Sequence, residues 1–260
     1  MNVKACICTD AGPCRRINQD AALVKVANSK NLGRIALIAV CDGMGGLSKG
    51  EVASCKVIRA LETWFHEELV LMTGMSREKF WETVEISWNR MLARVNGEIR
   101  RYGKHRSINL GTTFAALLQV GRQYMFMNIG DSRIYFTKGQ EAVQLTKDQS
   151  LAQRLIDTGE VTDPEDIDED KRSVLLQCVG THSLPEPQVG KGAFDTNTTV
   201  IACTDGLWRT ITGKELYAKL CPQMCLTDED MMDQGRKLID LAMTRDEQDN
   251  ISIAAMCLEF

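Results

Sequence analysis

Short apolar segments separated by glycine-containing turns occupy the middle of the 260-residue chain, and they constrain its fold more than any other feature. Residues 112–120, 123–129 and 132–136 have the length and apolar character of strands. The dipeptides Gly121-Arg122 and Gly130-Asp131, which are typical of turns, separate them. Because connections this short join antiparallel neighbours, the spacing predicts an antiparallel sheet.

Further strands and helices are indicated on both sides of this region. Residues 34–41 are apolar on both faces, which predicts a central strand. Residues 48–69 and 76–101 carry apolar side chains at helical spacing. Ser48 and Glu51 have the spacing of a capping box at the start of the first of these helices. The other predicted elements are strands at 20–27, 198–203 and 251–258 and helices at 151–158 and 227–243.

The order of these elements predicts an α+β fold. Helices come in pairs between groups of strands, and not in the regular βαβα alternation of a parallel doubly wound sheet. We therefore expect a central sandwich of two antiparallel β-sheets with α-helices packed outside it. No repeat, low-complexity stretch or Pro/Gly-rich linker interrupts the chain, so residues 1–260 are expected to form a single domain.

Charge and hydropathy exclude several classes of partner. The formal net charge is −4, which gives no reason to expect binding to nucleic acid or to an anionic membrane. The longest apolar run, residues 35–41, is far short of the roughly 20 residues that span a bilayer. The first residues lack the apolar core of a signal peptide. We expect a cytoplasmic protein.

The chain has ten cysteines but only three histidines. The cysteines could form disulfides, bind zinc or remain reduced. Cys6-x-Cys8 and the pair Cys221 and Cys225 are the nearest approach to zinc-ligand spacing, and no histidine lies near either pair. Thiols of cytosolic proteins stay reduced, so we expect thiols that pack as small apolar groups.

Four aspartates lie where predicted strands meet turns: Asp42, Asp131, Asp205 and Asp249. Each one alone is an ordinary turn residue. Four together, in a chain with few histidines, indicate a site for hard cations such as Mg²⁺ or Mn²⁺. Carboxylates that hold two such ions about 4 Å apart are a common device for hydrolysing phosphate esters.

The glycines that follow Asp42 allow a second interpretation. A glycine-rich turn between a strand and a helix, here Gly43 to Gly46, can bind a phosphate or a nucleotide. The segment lacks the third glycine of the dinucleotide fingerprint and the Gly-Lys-Ser/Thr ending of a P-loop. A nucleotide or methyl-donor site is therefore the weaker hypothesis.

Taken in order, these motifs resemble those of the metal-dependent Ser/Thr protein phosphatases (PPM, protein phosphatase type 2C), most closely their compact bacterial members. The resemblance spans nearly the whole chain. The matching segments are Thr9-Asp-Ala-Gly12, Arg15-Arg-Ile-Asn-Gln-Asp20, Val40-Cys-Asp-Gly-Met-Gly-Gly46, Gly50-Glu-Val-Ala-Ser54, Gly111-Thr-Thr113, Ile129-Gly-Asp-Ser-Arg133, Leu145-Thr-Lys-Asp-Gln-Ser150, Cys203-Thr-Asp-Gly-Leu-Trp208 and Asp249-Asn-Ile251.

The resemblance implies a fold and a set of metal ligands. The fold is a four-layer αββα sandwich with helix pairs outside, which agrees with the order of elements. Asp42 would bridge two Mg²⁺ or Mn²⁺ ions, and the carbonyl of Gly43 would bind one of them. Asp205 and Asp249 would complete the other, and Asp131 would help to hold a third, weaker ion.

The resemblance also assigns supporting roles. Asp20 would hydrogen-bond metal-bound waters, and Asn250 would support its neighbour Asp249. Arg15 corresponds to the family's phosphate-binding arginine, with Arg16 as the alternative if the register is off by one. A planar guanidinium can hold two phosphate oxygens at once.

The implied activity is hydrolysis of phosphoserine and phosphothreonine in proteins by a hydroxide that bridges the metals, counteracting a Ser/Thr kinase. We expect a monomer. A non-enzymatic module that only senses phosphorylated partners is the alternative from another class. The acidic run at 163–170 is expected to be a solvated surface, and the sharper hypothesis is that it selects phosphosites with basic neighbours.

Overall fold

Twelve strands and seven helices make up the described part of the chain, which comprises residues 2–45, 49–163, 166–180 and 184–260 of a computed structural model. The strands are β1 (Asn2–Asp10), β2 (Ala21–Ser29), β3 (Gly33–Cys41), β4 (Gly43–Gly45), β5 (Leu110–Thr112), β6 (Phe114–Val120), β7 (Gln123–Ile129), β8 (Arg133–Lys138), β9 (Glu141–Gln144), β10 (Gln188–Ala193), β11 (Thr198–Cys203) and β12 (Ile251–Glu259). The helices are α1 (Gly50–Met72), α2 (Arg77–Arg106), α3 (Leu151–Asp157), α4 (Glu169–Arg172), α5 (Asp205–Trp208), α6 (Gly213–Leu220) and α7 (Asp228–Thr244).

Two five-stranded antiparallel sheets form the centre of the fold. One has the strand order β1-β12-β11-β8-β9, and the other has the order β10-β7-β6-β3-β2. Their facing sides are apolar and pack against each other, with Ile38 and Leu117 from the second sheet and Val200 and Met256 from the first among the fully buried side chains. A two-stranded ribbon of β4 and β5 lies apart from both sheets.

Helices cover the outer face of each sheet. The long helices α1 and α2 pack on the sheet that contains β3 and β6, around Trp64 and Trp88, whose rings meet edge to face with centroids 5.5 Å apart. Helices α6 and α7 pack on the sheet that contains β11 and β12. The four layers confirm the predicted αββα sandwich.

The predicted pairing of the second and third middle segments is wrong. Strands β6 and β7 pair as expected across Gly121, which has φ +61°. Strand β8, however, belongs to the other sheet and pairs with β11 and β9. The chain crosses between the sheets at Gly130, whose φ of +98° is available to glycine but rarely to other residues. The crossing leaves Asp131 buried where the sheets meet.

Helix boundaries agree with the sequence pattern to within a few residues. Helix α1 is described from Gly50, and Ser48, the predicted cap, lies outside the described residues. Helix α7 follows Thr227, which forms the capping box predicted near that position. Helix α6 was not predicted, although Thr212 and Glu215 form a capping box at its start.

All ten cysteines are free thiols, and seven of them are buried, which agrees with the expectation of core thiols. None of the helices in the described ranges is both long enough and apolar enough to cross a bilayer.

Candidate active site

The aspartates predicted from the sequence come together at one end of the sandwich. Asp42 follows β3, Asp205 follows β11, Asp249 precedes β12, and Asp131 lies at the crossing from β7 to β8. All four line one cavity of about 980 Å³, and Arg15 lines it with them. Residues at strand ends are positioned by the rigid backbone of the strands.

Asp42 is held by a threonine that links the two sheets. The backbone N–H of Asp42 donates to Thr113 Oγ1 at 2.8 Å, and the N–H of Thr113 donates to the Asp42 carbonyl at 2.9 Å. The Thr113 hydroxyl also lies 2.6 Å from the hydroxyl of Ser132, next to the crossing residue Asp131. The end of β3 is thereby tied to the start of β8.

Gly43 lies in a close approach of two backbone segments. Its N–H donates to the carbonyl of Gln19 at 3.1 Å, and a side chain at either Gly43 or Gly50 would collide with the backbone of the other. From Gly43 to Gly45 the chain is strand β4, paired with β5. A ribbon is not the open phosphate-binding turn that the nucleotide hypothesis needs, and Gly46 lies outside the described residues.

Asp205 and Asp20 meet around the start of α5. Asp205 is buried and forms an ion pair with Arg209, one helical turn further on. The hydroxyl of Thr204 donates to Asp20 Oδ2 at 2.8 Å. Asp20 does not line the cavity, and its hydrogen bonding to metal-bound waters stays a prediction.

Asp249 is positioned from two sides. Arg15 Nη2 donates to Asp249 Oδ2 at 3.1 Å. The carboxylate of Glu247 accepts the backbone N–H groups of Gln248 and Asp249, at 2.9 and 3.0 Å. Arg16, the alternative phosphate ligand, is exposed and does not line the cavity. The geometry therefore favours Arg15.

Asn250 ties the N-terminal loop to this end of β12. Its Oδ1 accepts the N–H of Gln19 at 2.8 Å, and its Nδ2 donates to the carbonyls of Ala11 and Ile17 at 2.9 and 3.2 Å. The loop between these contacts carries Arg15. The backbone N–H of Asn250 also donates to Asp249 Oδ1 at 2.9 Å, and the support of Asp249 by the Asn250 side chain stays a prediction.

Burial and mutual repulsion raise the pKa values of these carboxyl groups. Burial, and then the charges of Asp205, Asp20 and Asp131, raise the pKa of Asp42 well above its usual range. Burial raises the pKa of Asp20 to about 7 and that of Asp131 to about 8. Burial also raises the pKa of Asp205, against the lowering effect of Arg209. Cations placed among the carboxylates would relieve this repulsion.

The donor set fits hard divalent cations. Asp20 Oδ1 and Asp205 Oδ1 are buried and have no hydrogen-bond partner among the described residues. Carboxylate oxygens of this kind are the ligands that Mg²⁺ and Mn²⁺ prefer. In the described ranges, no three His, Cys, Asp or Glu side chains converge into a ready-made metal site. Arg209 and Arg15 instead hold the carboxylates of Asp205 and Asp249.

A second group of charged residues, to which no role was assigned from the sequence, lines the same cavity. Arg133 donates to both carboxylate oxygens of Asp148, at 2.8–3.2 Å, and its guanidinium lies 3.5 Å from the centre of the Trp208 ring. The indole N–H of Trp208 donates to the Asp131 carbonyl at 2.9 Å. Through the indole of Trp208, this group holds the backbone of Asp131 at the crossing between the sheets. Arg209 could have been found from its spacing of four residues from Asp205 on a helix.

The other wall of the cavity comes from the region around α3 and α4. Ser150, Gln153 and Ile156 line it, together with Ile167 and Arg172. None of the described acidic residues of the run at 163–170 lines this cavity. Residues 164 and 165 of that run lie outside the described ranges.

The chain is similar to known phosphatases over almost its whole length. The family model described as protein phosphatase 2C matches residues 15–238. The serine/threonine phosphatase stp of Listeria innocua is 30% identical over 223 residues, which cover 85% of this chain and 84% of the relative. The structure of the serine/threonine phosphatase of S. agalactiae has a TM-score of 0.81 at 26% identity and covers 99% of this chain and 100% of its own. The catalytic domain of the phosphatase PstP in complex with 2 manganese ions has a TM-score of 0.76 at 24% identity, with 99% of both chains covered, and is alike in fold.

Proposed function

Because the chain belongs to the protein phosphatase 2C family and is a metal-dependent serine/threonine protein phosphatase, we propose that the aspartate cavity is where it removes phosphoryl groups from phosphoserine and phosphothreonine. The observation that carries this assignment is the convergence of four carboxylates and Arg15 on one cavity. The non-enzymatic alternative and the nucleotide hypothesis are set aside.

We assign the metal ligands as the resemblance implies. Asp42 would hold two ions, with the Gly43 carbonyl on one of them and Asp205 and Asp249 on the other. Asp131 would contribute to a third, weaker ion. The manganese pair in PstP supports the number two, and the carboxylate donors suit either Mg²⁺ or Mn²⁺. When bound, such ions would lower the pKa of a shared water and so provide hydroxide near neutral pH.

The protein's own residues position the phosphate and balance charge. Arg15 is exposed at the mouth of the cavity, and its ion pair with Asp249 holds it beside the carboxylates. From there its planar guanidinium can take two phosphate oxygens and orient phosphorus for in-line attack. The same positive charge stabilises the charge that develops on those oxygens. Asp20 and Asn250 hold Thr204 and the N-terminal loop, so that this geometry persists.

The assignment is tested by Mn²⁺-dependent hydrolysis of a phosphothreonine peptide. Asp205→Asn should lower the rate by about a hundredfold or more, because a metal contributes several kcal/mol of transition-state stabilisation. Asp240→Asn is the matched control, since Asp240 is exposed on α7, and it should leave the rate unchanged. Full activity in Asp205→Asn, or full activity of the wild type in EDTA, would overturn the assignment.

The physiological setting follows from this activity. Phosphorylated proteins are the substrates, and we propose that a Ser/Thr kinase supplies them. Ten free thiols fit the reducing environment of the cytoplasm, where we place the protein.

A further inference from the structure

A second cavity, of about 930 Å³, lies next to the catalytic one. The C-terminal part of α2 lines it, together with the segment around Cys178 and Gly180. The buried side chain of Asn96 on α2 accepts the N–H of Gly180 at 2.6 Å, and Thr112 of β5 pairs with Val179. These contacts fix the segment that contains Val179 and Gly180 relative to α2 and β5. We call this cavity the α2 groove.

The floor of the α2 groove is apolar. It is formed by Met44 of the β4–β5 ribbon, Ile99 of α2, and Ile108 and Leu110, with the thiol-bearing Cys178 beside them. Met44 and Ile108 are half-buried, so part of their apolar surface faces the groove. Covering such a floor with an apolar side chain removes apolar surface from water, which favours binding.

The rim of the α2 groove is basic. Arg100, Arg101 and Lys104 line it and are exposed, and they form no salt bridge with any described residue. Basic residues are common in the last turn of a helix, where they interact with the helix dipole, but this effect fades beyond that turn. Helix α2 ends at Arg106, so Arg100 and Arg101 lie more than one turn from the end. Their charges are therefore available to an acidic partner.

The α2 groove is continuous with the catalytic cavity. Met44 and Gly45 line both, so the ribbon of β4 and β5 is their common border. A phosphorylated residue seated among the catalytic aspartates would bring the residues next to it in its own chain to this border. The basic rim also lies outside the acidic catalytic cluster, so an acidic segment would meet an attractive field there rather than a repulsive one.

We propose that the α2 groove binds the stretch of the phosphoprotein that flanks the phosphorylated residue, and that it selects stretches combining acidic and apolar side chains. The proposal rests on the proposed function, because it places the phosphorylated residue in the catalytic cavity. The apolar floor would take a side chain such as Leu, and the rim would pair with Asp or Glu.

The test compares two kinds of phosphothreonine peptide. One kind carries Glu and Leu next to the phosphothreonine, and the other carries Lys and Ser there. Each kind is made in two versions, with these residues on the N-terminal or on the C-terminal side. The test variant is Arg100→Ala/Arg101→Ala. The matched control is Lys79→Ala/Arg90→Ala, which removes two charges from exposed positions of the same helix outside the groove. The generic substrate p-nitrophenyl phosphate reports catalysis without flanking residues.

The test variant should lower kcat/KM on a Glu/Leu peptide about fivefold, the scale of two exposed charge pairs. The control variant should not, and p-nitrophenyl phosphate should be hydrolysed equally by all three proteins. The difference should shrink at 1 M salt, where charges are screened. Equal kcat/KM of wild type and test variant on every peptide, or an equal loss on all of them, would overturn the proposal.

A binding measurement separates this proposal from the proposed function. Fluorescence anisotropy of a labelled, unphosphorylated Glu/Leu peptide should show salt-sensitive binding to the wild type that is weaker in the test variant. Absence of such binding would overturn the α2 groove even if the enzyme is active. Failure of the wild type to hydrolyse any phosphorylated substrate would instead refute the proposed function.

Discussion

Replacing Arg133 by Met should destabilise the fold, because it would leave Asp148 as a buried carboxylate without its partner. The Arg133 side chain is 21% exposed and that of Asp148 is 6% exposed, and three hydrogen bonds join them. Breaking a buried pair by removing one partner costs about 3–5 kcal/mol. Because Arg133 keeps some contact with water, we expect the lower end, about 3 kcal/mol. For a chain of this size that corresponds to a fall in Tm of about 6–12 °C.

The assay is urea unfolding of the wild type, Arg133→Met, Asp148→Asn and the double variant. In the double variant no charge is left unpaired, so its loss of unfolding free energy should be smaller than the sum of the two single losses by more than about 1 kcal/mol. If Arg133→Met costs less than about 0.5 kcal/mol, or if the single losses simply add, the pair does not stabilise the fold as described.

Two further outcomes are expected. Thr113→Val should lower the unfolding free energy by about 1–3 kcal/mol, because the Asp42 N–H and the Ser132 hydroxyl lose their partner. It should also slow phosphopeptide hydrolysis. Unchanged stability in urea would contradict the role of Thr113 in holding these two groups. Hydrogen bonds from Arg245 and Thr212 lower the pKa of Glu215 to about 2, so the stability from this pair is present above the ordinary glutamate pKa and is lost as pH falls from about 4.5 towards 2. The difference in unfolding free energy between wild type and Glu215→Gln should therefore shrink between pH 6 and pH 3, and a difference that stays constant would refute it.

The layers of the fold could be predicted because each element carries its own periodicity. The stripe that includes Val57 and Leu61 on α1 is buried as the helical spacing predicts. The pairing of β7 with β8 could not be predicted, because a glycine turn fits a hairpin and a crossing between sheets equally well. The outcome depends on which neighbour each strand pairs with: β7 pairs with β6 in one sheet, and β8 pairs with β11 in the other. The spacing of residues along the chain does not distinguish a hairpin from a crossing to the other sheet.

The residue types of the candidate site could be predicted from the sequence, but not all of the side-chain contacts that hold its aspartates. Aspartates at strand ends are visible in the sequence, and the fold brings them to one cavity. The ion pair of Asp249 with Arg15 is different, because it joins residues that are far apart in the sequence and depends on their side-chain directions. The support of Asp131 by Trp208 likewise arises only when α5 meets the crossing between the sheets.

Calorimetric titration of Mn²⁺ tests most directly whether the aspartate cavity holds the metal ions that we assign to it. The wild type should bind about two ions per chain. Asp42→Asn, with an unchanged circular dichroism spectrum, should lose at least one of them or bind both at least about tenfold more weakly, since Asp42 is the residue that we assign to both ions. Identical titration curves for wild type and Asp42→Asn would contradict the assignment of Asp42 as a metal ligand.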